Sequence, residues 1–203
     1  FSHPSMTSPY EGIHPDDYQA ITRKLIEDHP LNTREVTEIC LSAWEEILRT
    51  EIGGEGGLAI GKDIFPKPQI MAFFLHELIP HKLQKRYPAR WKPEKTAQDK
   101  DIVHIPDEQY SIEIKTSSSP KNIFGNRSYA QDPETSKKKK TGYYLAINFE
   151  KFSSTNRDPK ILMIRFGWID HCDWMGQRSA TGQQARLSPE TEKGKLLVIY
   201  AAD

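Results

Sequence analysis

Asp101-Ile-Val-His-Ile-Pro-Asp-Glu-Gln-Tyr-Ser-Ile-Glu113-Ile-Lys115-Thr-Ser117 reads as two strands joined by a turn, and the way they pair decides the fold. Residues 110–117 alternate as a strand does. Tyr110, Ile112, Ile114 and Thr116 fall on one face, and Ser111, Glu113, Lys115 and Ser117 on the other. Glu113 and Lys115 are therefore one pleat apart on a common face. Residues 101–105 form a second apolar strand, with Pro106-Asp107-Glu108 as the turn. A three-residue loop sets Asp101 opposite Glu113, so that three charged groups converge. A loop of two or four residues sends Asp101 to the other face.

Upstream of this unit the pattern is helical. Residues 1–15 carry three prolines and read as an extended arm; a short helix covers 16–28 and stops at His29-Pro30. Asn32, with Glu35 three positions on, has the form of a helix cap, and Val36, Ile39, Cys40, Ala43, Ile47 and Leu48 recur at helical spacing. Gly53-Gly54-Glu55-Gly56-Gly57 breaks that helix. Pro68 opens a third, apolar nearly all round and hence expected to be largely buried, running to Pro80 and, kinked, to Arg86. After a proline-rich link come strands over roughly 101–105, 110–117, 142–149, 160–168 and 195–201. Helices followed by strands predict an α/β or α+β fold with a central mixed sheet flanked by helices. The 203 residues suit one domain: an arm over 1–15, a mainly helical part over 16–90 and a sheet-rich part over 100–203.

Formal net charge is zero, but its distribution is not even. Residues 1–81 hold 6 basic against 13 acidic side chains, whereas residues 82–165 hold 18 against 10. An acidic first part beside a basic middle permits one face to meet phosphate, although a solvated basic face gives the same composition. No apolar run approaches the roughly 18 residues needed to cross a bilayer, so no membrane is expected. The opening residues lack the basic and apolar regions of a signal peptide. Two cysteines, Cys40 and Cys172, make no disulfide framework and fit a reducing cytoplasm.

Several motifs fail on geometry. The segment from Gly53 to Gly61 lacks the Gly-Lys-Ser/Thr ending of a phosphate loop. His76-Glu77 and His81 place the histidines five apart with Pro80 between them, whereas a zinc protease needs four on one helical face. His171, Cys172 and Asp173 are adjacent rather than at ligand spacing. Asp101, Glu113 and Lys115 do match a chemistry. Two carboxylates can hold a hard divalent cation through oxygen, leaving positions for water and a phosphate oxygen. An ammonium beside them orients an attacking water and stabilises negative charge. That is equipment for phosphodiester hydrolysis; a surface Glu–Lys pair on a hairpin is the plain alternative.

Asp101 followed by Glu113-Ile-Lys115 on a hydrophobic strand resembles the core of the PD-(D/E)XK nucleases, which many type II restriction endonucleases share. The stretch Thr116-Ser-Ser-Ser-Pro-Lys-Asn-Ile-Phe-Gly-Asn-Arg-Ser-Tyr-Ala-Gln131, with Gly142-Tyr-Tyr-Leu-Ala-Ile-Asn148, resembles the ScaI-type restriction endonucleases. The resemblance implies Mg²⁺ as cofactor and no small-molecule cofactor. It implies metal ligation by Asp101, Glu113 and the Ile114 carbonyl, with Lys115 as catalytic lysine. It also implies homodimers that cut double-stranded DNA at short palindromes, leaving 5′-phosphate and 3′-hydroxyl ends. The literal Pro-Asp pair here is Pro106-Asp107, only five residues before Glu113, at the hairpin tip. Hairpin geometry prefers Asp101, with Asp107 as the alternative. Glu46 or Glu77 could add a further acid from the helices.

Asn122, Asn126, Arg127, Ser128, Tyr129 and Gln131 follow the catalytic strand and supply side chains suited to reading bases. Lys137, Lys138, Lys139 and Lys140 form a candidate backbone clamp, since lysines neutralise phosphates without reading bases. The segment from Gly176 to Arg186 is a second candidate reading loop, and Trp168, Ile169, Trp174 and Met175 are candidate interface or core. The rivals are a PD-(D/E)XK nuclease of repair or recombination and a non-catalytic DNA-binding protein, which metal-dependent cutting separates.

Overall fold

A computed structural model describes residues 7–132, 139–176, 182 and 184–203. Helix α1 (Tyr18–Glu27) follows a 3₁₀ turn at Pro15–Asp17. Helix α2 (Thr33–Leu48) starts where expected, with Asn32 Oδ1 accepting the Glu35 N–H at 2.8 Å. Helix α3 (Pro68–Arg86) opens on its proline and passes through Pro80 without ending. Lys82 pairs with Glu46, and Arg86 with Glu35 and Glu38, fastening α3 to α2. A fourth helix, α4 (Pro189–Lys195), begins at a Ser188 cap that accepts the Thr191 N–H.

The strands are β1 (Glu51–Ile52), β2 (Leu58–Ala59), β3 (Trp91–Pro93), β4 (Ile102–His104), β5 (Ile112–Ser117), β6 (Phe124–Asn126), β7 (Gly142–Phe149), β8 (Ile161–Ile169), β9 (Met175–Gly176), β10 (Gln184–Arg186) and β11 (Leu196–Ala201). Six make the central sheet in the order β11-β8-β7-β5-β4-β3. The β5–β7 pair is parallel and the other pairs are antiparallel, so the sheet is mixed. This is the mixed α+β architecture expected.

The period of two distributes side chains between two cores. Ile112, Ile114, Tyr143, Leu145, Ile147, Ile164 and Phe166 join Ile39, Ile47, Met71, Leu75 and Ile79 of α2 and α3. On the opposite face Tyr144, Ala146 and Ile169 meet Ile123, Tyr129, Trp174, Ala185 and Leu187. A three-stranded sheet, β6-β10-β9, covers that side. Burying each large aliphatic or aromatic side chain contributes about 1.5–3 kcal/mol, so both faces hold the sheet. Where the end of α4 crosses β8, a Cβ on Gly167 would lie 1.8 Å from the Lys195 carbonyl; only glycine admits that approach.

The structure departs from the sequence reading in several places. The proline-rich link contains β3, which pairs with β4 through Trp91↔His104. The glycine segment is a turn, as expected, between the paired β1 and β2. The arm is docked rather than extended, at least from Ser8: Tyr10 is buried and Ser8 Oγ donates to Asp170 at 2.6 Å. Helix α3 is not buried all round, because Ile70 and Phe73 stay exposed. Trp168, Ile169 and Trp174 are core, and of that group Met175 is exposed. No helix among the described residues is long and apolar enough to cross a membrane.

His29 ends the first helical segment inside a ring of aromatics formed by Trp91, Tyr110, Tyr143 and Phe166. Its Nδ1 accepts the Leu31 N–H at 3.1 Å, so the ring carries its proton on Nε2 and donates to the Tyr110 carbonyl at 3.0 Å. Burial lowers its pKa from 6.5 to about 4. Below pH 6.5 the unfolded chain takes up a proton that the folded chain refuses, so stability falls as pH drops from 6.5 towards 4. At 1.36 kcal/mol per pKa unit the loss is roughly 3 kcal/mol. Denaturant melts at pH 7 and pH 4.5 should show this loss in the wild type and a smaller one in His29→Gln. Equal pH dependence in the two proteins would refute the assignment.

Candidate active site

Strand β5 carries Glu113 and Lys115 on the face opposite Ile112 and Ile114. Its pairing with β4 is Ile102↔Ile112, a register that sets Asp101 across from Glu113. The ladder stops there, and a side chain continues it: Asp101 Oδ2 accepts the Ile114 N–H at 2.7 Å. The Ile114 carbonyl lies 3.1 Å from His76 Nε2 on α3. Both peptide groups of the residue between Glu113 and Lys115 are thus held by side chains.

Glu113 is 3 % exposed. Burying a carboxylate is costly without compensating cations or donors. Lys115 Nζ lies 3.8 Å from the centroid of the Tyr129 ring, and Lys140 Nζ lies 4.4 Å from the same centroid. Burial, and then the charge of Glu113, push the Tyr129 hydroxyl well above its ordinary pKa, with Asp101 adding to the effect. Tyr144, which stands beside Glu113 in the β5–β7 register, is raised for the same leading reasons. Its hydroxyl donates to the Lys140 carbonyl. Both phenols therefore remain protonated. The two carboxylates, two lysines and two tyrosines form one cluster on the second-core face.

Among the described residues no three His, Cys, Asp or Glu side chains come together as a metal cage. Two carboxylates are nevertheless a donor set that suits Mg²⁺, which keeps several waters and takes one or two carboxylates with substrate phosphate. Asp101 and Glu113 offer only oxygen, and the Ile114 N–H bond to Asp101 brings the first to the strand of the second. The residues fit the ion.

The other candidates fall into distinct places. Asp107 is exposed and caps the 3₁₀ turn at Glu108–Tyr110, with Oδ1 accepting the Gln109 N–H at 3.1 Å. Glu46 is paired with Lys82, and Glu77 is exposed. Asn122, Asn126, Arg127 and Gln131 are exposed, and Ser128 is half-buried. The Asn126 side chain caps the turn at Arg127–Ala130 by accepting the Ser128 N–H. Tyr129 is buried in the second core against Trp174, with ring centroids 4.9 Å apart, so it underlies Lys115 instead of facing solvent. Its ring occupies the space a Cβ on Gly125 would need, with 2.6 Å between them. Lys137 and Lys138 lie outside the described residues, as do Gln177 and Arg178. Lys139 is exposed, whereas Lys140 is 6 % exposed and belongs to the cluster around Tyr129.

Two segments that are distant in sequence meet here. Strand β10 pairs with β6 through Gln184↔Asn126 and Arg186↔Phe124, and with β9 at Met175 and Gly176. The two candidate reading segments are therefore parts of one small sheet, with Asn126, Gln184 and Arg186 exposed on it. The loop that leads into β6 is held by buried polar groups. Asn148 Nδ2 donates to the carbonyls of Ser119 and Asn122 at 2.9 and 3.0 Å. Arg165 Nη2 donates to the Lys121 carbonyl at 2.7 Å and to Asn148 Oδ1 at 3.1 Å. Glu192 pairs with Arg165 at 3.7 Å and accepts the Ile123 N–H at 3.4 Å. Sequence reasoning weighed His76 only as a zinc ligand and gave Tyr144, Asn148 and Arg165 no individual role. Asn148 carried a signal, since a lone amide in an apolar strand needs buried partners.

The family model described as ScaI restriction endonuclease matches residues 8–200. A curated relative, the type II restriction enzyme ScaI of Streptomyces caespitosus, is 44 % identical over 195 residues, which is 95 % of this chain and 85 % of the relative. No solved structure matches the chain. With the match running from the docked N-terminal segment to the last strand, the chain belongs to the ScaI restriction endonuclease family.

Proposed function

We propose that this type II restriction endonuclease hydrolyses double-stranded DNA at a short palindrome with Mg²⁺ held by Asp101, Glu113 and the Ile114 carbonyl, leaving 5′-phosphate and 3′-hydroxyl ends. The observation that carries the reading is the 2.7 Å bond from the Ile114 N–H to Asp101, which draws the upstream carboxylate to the strand of Glu113 and Lys115. Bound Mg²⁺ supplies charge neutralisation on the phosphate and acidification of a water. Lys115, seated on the Tyr129 ring, orients the attacking water and offsets negative charge as it develops. Tyr129 and Tyr144, kept protonated by burial and Glu113, shape the site without acting as bases.

The exposure of Asn122, Asn126, Arg127 and Gln131, with Gln184 and Arg186 beside them, supports a role in reading bases, and that of Lys139 a phosphate contact. One such site among the described residues and two antiparallel strands to cut favour a two-fold homodimer on a palindrome. Two free thiols, buried Cys40 and exposed Cys172, are at home in the cytoplasm. Incubation with Mg²⁺ and phage DNA should give discrete fragments, abolished by chelation, from a species of twice the chain mass by light scattering. A smear would indicate a nuclease without sequence choice, and intact DNA a binding protein; either result overturns the proposal.

A further inference from the structure

We propose that His76 is a positioning residue for the metal site, holding the Ile114 carbonyl in place through its Nε2. The inference rests on the reading of Asp101, Glu113 and this carbonyl as the metal's ligands.

The reason lies in how β5 is paired. Past Ile102↔Ile112, the β4 side of β5 has no further backbone pair among the described residues. A strand edge left this way has polar groups to satisfy, and each must find a side chain or water. Asp101 takes the Ile114 N–H, and His76 Nε2 lies 3.1 Å from the Ile114 carbonyl oxygen. The tautomer that carries its proton on Nε2 donates there. A carbonyl oxygen has two lone pairs, so a histidine donor and a hard cation can share it. Groups that hydrogen-bond a metal's ligands fix the ligands' orientation, and their loss commonly costs 10–100-fold in metal affinity or activity.

His76 is itself fixed. The helix holds it: Nδ1 lies 2.8 Å from the Ala72 carbonyl one turn back on α3, an acceptor to which Nδ1 donates nothing in the Nε2–H tautomer. The helix that carries it is anchored by Met71, Leu75 and Ile79, each no more than 1 % exposed. The ring therefore spans two rigid elements, with the carbonyl between Glu113 and Lys115 at one end. A purely structural tether would do the same for stability, but the core already holds α3 through those apolar residues. The two roles differ in whether metal affinity moves.

The test titrates Tb³⁺, a hard oxygen-seeking probe, into the full chain and follows emission sensitised by tyrosine, since Tyr129 and Tyr144 adjoin the site. His76→Ala should raise the Tb³⁺ midpoint about tenfold. His76→Gln, whose amide can still donate, should recover most of that loss, and both variants should show similar thermal midpoints. In plasmid cleavage at fixed Mg²⁺, His76→Ala should lower kcat and leave KM for DNA nearly unchanged. Glu113→Gln is the control and should abolish the emission. If Glu113→Gln emits as the wild type does, or the wild type does not emit, the metal-site reading fails and the inference with it. If Glu113→Gln is silent but His76→Ala titrates like the wild type, only the role of His76 is overturned.

Discussion

Asp101→Ala, Glu113→Ala and Lys115→Ala should each reduce DNA cleavage by roughly 10²–10³-fold or more, while the protein keeps its melting transition. The scale follows from what each group does. Lys115 faces the same side of β5 as Glu113 and rests on the Tyr129 ring 3.8 Å away, so its charge is held where phosphate chemistry would develop its own. Asp101 makes one local hydrogen bond, to the Ile114 N–H, and losing it costs stability only about 1 kcal/mol. Asp107→Ala is the matched control. That carboxylate is exposed and spends itself on Gln109, so cleavage should stay near wild type. Lys139→Ala, at an exposed position, should weaken binding without stopping turnover. The measurement is plasmid cleavage under single-turnover conditions. A wild-type rate for Lys115→Ala would remove it from the reaction.

Lys195→Met should destabilise the fold by roughly 3–5 kcal/mol, the cost of stranding buried charges. Lys195 Nζ lies 2.7 Å from Asp173 Oδ2 and 3.0 Å from Asp170 Oδ2, and the ammonium is nearly inaccessible. Burial alone would lower its pKa, but Asp173 and Asp170 outweigh that and leave it raised. Asp170 also accepts from Ser8 and from Trp168 Nε1, so the cluster ties the N-terminal segment, the end of β8 and the end of α4 together. Without the lysine two carboxylates face each other in the interior. Because stability as a whole is about 5–15 kcal/mol, the urea midpoint should drop far. Arg86→Ala, which removes the more exposed pairs with Glu35 and Glu38, should cost less than about 1 kcal/mol. Similar small losses in both variants would show that the buried cluster is dispensable.

What the sequence disclosed can be followed residue by residue. The side of the sheet on which Asp101 falls was legible although the loop was not. The pairing Ile102↔Ile112 encloses residues 103–111, many more than the three assumed, but both numbers are odd and give the same alternation. Strands β4, β5, β7, β8 and β11 were legible from their apolar residues, although β4 is only three residues long. Strand β3 was hidden by its prolines, and α4 by its shortness, even though Ser188-Pro189 is a sound start signal. The contact of His76 with Ile114 joins residues on separate elements, and no local pattern records it. In the run Lys137 to Lys140 four identical residues look alike, yet Tyr144 grips the last by its carbonyl and draws it inward. Tyr129 read as a base contact because its segment is polar; the glycine at 125 that makes room for its ring was the overlooked sign of burial.

The hold of Asn148, Arg165 and Glu192 on residues 119–123 has a consequence for how such an enzyme diversifies. Every atom they grip in that loop is main chain: the carbonyls of Ser119, Lys121 and Asn122, and the amide of Ile123. A mount of this kind is blind to the letters it carries. Lys121 and Asn122 can drift to other residues while the loop keeps its path, and the segment that follows it can take on new base preferences without the scaffold being rebuilt. The constraint is displaced to the mount, where Asn148→Leu would leave the Ser119 and Asn122 carbonyls unanswered at once, and Arg165→Leu the Lys121 carbonyl.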